Sequence, residues 1–161
     1  MTNRELDFTL AQMSEIQFSQ PAFTVNGIHV WHAPRTVKAT GSSVAVALTM
    51  SDGSYSIAID DRFLSMDDNA QKFVLEHELG HIKNKDTQKT GLKLLIYLIA
   101  CRFGTPKIEV MADVRASEII GVAACVSGLK SIAKVTSDIP GVRGQLYRRI
   151  VALKLYHALH K

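Results

Sequence analysis

Two cysteines in 161 residues, Cys101 and Cys125, cannot form a disulfide framework, and they lack the CxxC spacing of a redox or metal motif. Both stand in apolar surroundings and read as buried, reduced thiols. The N-terminal MTNRELDFTL lacks the apolar run of a signal peptide, which points to a cytoplasmic protein. No stretch reaches the roughly twenty apolar residues that a bilayer span requires. The most apolar segment, Gly91 to Phe103, has only the ten residues Leu92 to Cys101 at its centre, with Lys93 among them. It reads as a buried core helix in preference to an interfacial membrane contact. Basic clusters interleaved with aromatics are missing too, so nucleic acid is not an expected partner.

What is present is a chain of one-domain size, 47% hydrophobic and 21% charged, too apolar to remain disordered. We expect a single domain over residues 1–161, with a peripheral helix at most in residues 1–20. There Leu6, Leu10, Met13 and Ile16 fall near helical spacing before Pro21. The net charge is +4, with a modest concentration at Arg143, Arg148, Arg149 and Lys154. Those four read as a solvated helix face.

The chemistry lies in FVLEHELGHI, residues 73–82. His77, Glu78 and His81 form a complete HExxH, and residues four apart share one helical face. Both imidazoles can therefore point at one centre, with Glu78 beside it to take a proton from metal-bound water. The neighbours Phe73, Val74, Leu75, Leu79 and Ile82 are apolar, so the motif rides on a largely buried helix where unpaired polar groups are costly. That helix should run from about Asn69 to Asn84, capped by Asp67 or Asp68.

Upstream, Val25 to Val37 reads as two short β-prone pieces, IHVWH and RTVKA, with His29 and His32 as surface or satisfied histidines. Ser43 to Ile59 reads as a hairpin turning at Ser51-Asp52-Gly53, its second arm alternating as a strand with one covered face. An edge strand beside the metal of a zinc peptidase can pair with extended substrate backbone, and Ser54 to Ile59 is the expected platform. Downstream, Lys107 to Val126 reads as one helix, and Val142 to Leu159 as a last one with the stripe Leu146, Ile150, Leu153, Leu155 and Leu159 turned to the core.

A catalytic zinc takes three protein ligands and leaves one position open. Glu109 and Asp113, four apart on the helix that follows, face the same way. One can ligate while the other fixes a histidine tautomer; Glu109 is favoured as ligand over Asp113, with Glu118 a weaker competitor.

An upstream strand, HELGH, an apolar segment and then ExxxD within EVMADVRASEI resemble the gluzincin metallopeptidases. The closest likeness is to the HtpX-like and CAAX-prenyl-protease family in its compact, minigluzincin-like form. It covers roughly Ser43 to Leu153 and includes an RIxxL at Arg149 to Leu153. The resemblance implies an α+β, zincin-like fold: a small mixed sheet with an edge strand packed against the HExxH helix, and further helices. It implies Zn2+ held by His77, His81 and Glu109, Glu78 as catalytic base, and Asp113 supporting a histidine. Many relatives carry His-Pro shortly before RIxxL, whereas Ile139 precedes Pro140 here. The oxyanion donor then falls to Tyr147, Arg143 or Arg149, any of which could meet the developing charge.

The expected activity is zinc-dependent endopeptidase cleavage of a protein or peptide substrate. A second resemblance, to ImmA/IrrE-type regulatory peptidases, keeps open a zinc-containing partner-binding protein with restricted or latent proteolysis.

Overall fold

The computed structural model describes residues 20–42, 44–86 and 107–160. The expected N-terminal helix carrying Leu6, Leu10, Met13 and Ile16, the apolar segment Gly91 to Phe103 and Cys101 lie outside the described residues. The chain divides into two compact units, Met1–Ser65 and Met66–Lys161.

The first unit holds a four-stranded sheet: β1 (Phe23–Val25), β2 (Ile28–His32), β3 (Ala45–Thr49) and β4 (Tyr55–Ile59), with helix α1 (Pro34–Thr40) between β2 and β3 and the short α2 (Asp61–Leu64) after β4. The order is β1-β2-β4-β3, with β2 parallel to β4 and the other pairs antiparallel. The expected hairpin is β3 and β4. Gly53 takes φ 82 in its turn, a left-handed conformation that suits glycine, and Asp52 accepts from the Ser54 backbone N–H at 2.9 Å.

Two expectations fail in this unit. RTVKA is helical: its β-branched residues suggested a strand, but Pro34 stands in the first turn, where its fixed φ favours helix, and Val37 packs with Ala33, Leu48 and Ala58. β4 is a central strand with both edges paired, so Ser54 to Ile59 cannot take on a substrate backbone. Its residues Ser56 to Ile59 are buried in succession instead of alternating, as a strand covered on both faces should be.

The second unit is helical: α3 (Asp68–Lys83), α4 (Lys107–Ile120), α5 (Val122–Val135) and α6 (Val142–Leu159). Asp67 caps α3, its carboxylate accepting from Ala70 N–H at 3.0 Å. Backbones approach closely on α3. A Cβ at Gly80 would stand 3.2 Å from the Ala112 Cα, and one at Gly128 would stand 2.4 Å from the Phe73 ring. These small residues bring α4 and α5 hard against the HExxH helix.

The single helix expected over Lys107 to Val126 is broken at Gly121, whose φ of 85 ends α4 and starts α5. Leu146, Ile150 and Leu153 are buried as expected, but Leu155 and Leu159 are 57% and 79% exposed; Arg149 takes a place on the buried face. Among the described residues no helix is long and apolar enough to cross a membrane.

Candidate metal centre

α3 presents His77 and His81 one turn apart, and α4 brings Glu109 against them. The two Nε2 atoms stand 3.0 Å apart. Glu109 places Oε2 at 3.3 Å from His77 Nε2 and Oε1 at 3.6 Å from His81 Nε2. One donor atom from each residue lies within 4.8 Å of the others, with His77 and Glu109 buried and His81 partly so. Ligand atoms around a tetrahedral ion with bonds near 2 Å are separated by about 3.3 Å, so this set suits a first-row divalent metal. Glu78, next to His77, is 8% exposed.

Charge supports the same assignment. Three carboxylates (Glu78, Glu109, Asp113) and one guanidinium (Arg149) are buried together, a net charge of −2 when His77 is neutral, as a metal ligand must be, and one that a divalent cation would offset.

Asp113, fully buried, accepts from His77 Nδ1 at 2.8 Å, which leaves the Nε2 lone pair for a metal. Arg149 grips the same carboxylate, donating from Nε to Oδ2 at 2.8 Å and from Nη2 to Oδ1 at 2.6 Å, while its Nη1 lies 3.2 Å from Glu109 Oε2. Burial and the Arg149 charge work against a proton on His77; the charge and hydrogen bond of Asp113 and the hydrogen bond of Glu109 outweigh them and raise the imidazole from 6.5 to about 9. Burial also disfavours charge on Glu109, but the hydrogen bond from His77 and the charges of Arg149, His77 and His81 hold its carboxyl far below the usual range. Asp113 is likewise lowered, against burial, chiefly by Arg149.

Of the residues named from sequence, the structure brings together His77, Glu78, His81, Glu109, Asp113 and Arg149. It does not bring Tyr147 or Arg143 to them. Tyr147 is 56% exposed and about 200° around α6 from Arg149. Arg143 is exposed in the first turn of α6. Arg149 is engaged by two carboxylates instead of standing open to a substrate carbonyl.

Sequence reasoning missed Asp86. Lys85 adopts φ 56 just past α3, and Asp86 Oδ2 then lies 3.3 Å from His81 Nδ1. Each histidine therefore has a carboxylate behind it. An acid five residues after a motif histidine, in the turn closing its helix, was the available signal.

A mixed α+β chain that converges HExxH and a later helical glutamate on one centre defines a metallopeptidase of the zincin-like class. The family model Peptidase family M48 matches residues 10–138, and the chain belongs to that family, whose members hydrolyse peptide bonds. This agrees with the HtpX-like resemblance. No curated protein and no solved structure matches the chain.

Proposed function

We propose that the protein is a zinc-dependent endopeptidase with His77, His81 and Glu109 as metal ligands and Glu78 as general base. The observation that carries this is the convergence of two Nε2 atoms and one carboxylate within 4.8 Å, beside the carboxylate-bearing Glu78. Two imidazoles and a carboxylate suit zinc, which when bound supplies a Lewis acid and lowers the pKa of water toward neutrality.

The chain's own residues do the rest. Glu78 takes the proton from the attacking water and returns it to the leaving amine. Asp113 holds His77 in the tautomer that presents Nε2, and Asp86 does the same for His81. Arg149 acts as a positioning residue: its fork fixes Asp113 from two sides and steadies Glu109. Its donors are directed at those carboxylates, so the oxyanion role falls outside Arg149.

Glu78→Gln tests the reading. The variant keeps the shape of the side chain but cannot accept the proton, so it should bind zinc stoichiometrically and cleave about 100- to 10,000-fold more slowly. The readout is the appearance of new N-termini in a proteome-derived peptide library, beside metal content. Equal cleavage by both proteins would remove Glu78 as base.

A further inference from the structure

Among the described residues, the outer face of α6 is unlike any other surface of the helical unit. Tyr147, Val151, Leu155 and Leu159 recur every four residues and are 56%, 54%, 57% and 79% exposed. They make up four of the seven large exposed hydrophobic residues among those described. At 3.6 residues per turn they form one stripe, opposite the buried Leu146, Ile150 and Leu153. Tyr147, Val151 and Leu155, with Ala152 and Arg148, line a shallow groove of 320 Å³.

Charge says what this face suits. The sequence from Ile139 to Lys161 contains no Asp or Glu, and Arg143, Arg148 and Lys154 are all exposed on α6. Projected down the axis, Arg143 and Lys154 flank one side of the stripe, and Arg148 lies toward the other. Two copies of α6 laid together would set three cations against three, with no carboxylate on either helix to answer them. An apolar stripe bordered by cations instead matches the acyl and headgroup layers of an anionic lipid surface.

We propose that the outer face of α6 docks the protein on an anionic lipid bilayer, with Val151 and Leu155 entering the interface and Arg148 and Lys154 meeting lipid phosphates. The helix lies in the plane of the surface and does not cross it. Docking uses the face opposite Arg149, so it leaves the metal centre's supports in place.

Vesicle co-sedimentation of the full chain tests this, with equimolar phosphatidylglycerol and phosphatidylcholine against phosphatidylcholine alone. Partitioning should be about tenfold or more stronger on the anionic vesicles and should weaken as salt rises. The double variant Val151→Asp, Leu155→Asp should lose it, with the melting temperature and zinc content of the parent. Should that variant melt early, Arg148→Glu with Lys154→Glu, which leaves the apolar stripe intact, decides the matter by losing about tenfold or more. Three results overturn the proposal: no partitioning, equal partitioning on neutral vesicles, or anionic binding that survives both variants. Sedimentation equilibrium supplies a fourth, a dimer that Leu155→Asp dissociates, which would assign the stripe to a second copy. None of these readouts depends on peptidase activity.

Discussion

The sheet unit and the helical unit treat polarity in opposite ways. Among the described residues, the sheet unit buries only Thr36 and Ser56 as polar side chains, both uncharged. The helical unit buries His77, Glu78, Glu109, Asp113 and Arg149. A buried charge is tolerated only when paired, and removing one partner leaves the rest stranded. The sheet's core is thus held by apolar packing that tolerates small changes of volume. The helical unit holds a network in which each member is needed by the others, and its polar density coincides with the proposed metal centre.

The sharpest way to break this comparison is to cut the network. Arg149→Met keeps the length and apolar stem of the side chain but leaves Asp113 and Glu109 without their cation. It should destabilise the protein by about 3–5 kcal/mol. Ile57→Val, at a fully buried position of β4, should cost only about 0.5–1.5 kcal/mol. Thermal or urea unfolding of the two variants decides between them; equal losses would mean that the buried charges are no more critical than packing.

A second difference should appear with pH. In the metal-free protein the folded His77 pKa, about 9, lies above its ordinary 6.5. A raised pKa means that the folded state holds the proton more tightly. Its stabilising contribution is therefore full below 6.5 and is lost as pH rises through about 9. The loss should be on the order of 3 kcal/mol, at about 1.4 kcal/mol per unit. Asp113 runs the other way: its lowered pKa gives stability that is present above the ordinary 3.8 and fades as acid protonates the folded carboxylate. Unfolding followed from pH 6 to 10 after chelation should show the first slope, and His77→Gln should flatten it.

How much of this could be read from sequence depended on whether the information was local. Periodicity and caps placed α3 and α6 within a residue or so, because Asp67, the HExxH spacing and the apolar rows act within a few turns. That His77, His81 and Glu109 would converge was legible for a related reason: a set that could hold a metal needs particular residue types at particular spacings. The parallel pairing of β2 with β4 was not legible, since it joins strands separated by a helix and another strand, and it made a platform strand into a central one. Leu155 and Leu159 looked like core because apolar spacing alone cannot tell which row faces inward. Arg149 looked like a reactive cation because nothing local reveals that Asp113 lies across from it at 2.6 Å.

The smallest predicted effect separates the two carboxylates behind the histidines. Asp113 is fully buried, contacts His77 at 2.8 Å and is itself held by Arg149; Asp86 contacts His81 at 3.3 Å from a turn at the helix end. Removing a carboxylate behind a metal-bound histidine typically costs 10- to 100-fold in metal affinity. Asp113→Asn should fall near the upper end, because the amide also loses the charge that Arg149 requires. Asp86→Asn should fall near the lower end, about tenfold, since its longer bond orients the imidazole less tightly. Competition for zinc against a chromophoric chelator measures both. Equal losses would show that the two histidines are oriented with the same stringency, and that the dense network around Asp113 serves stability alone.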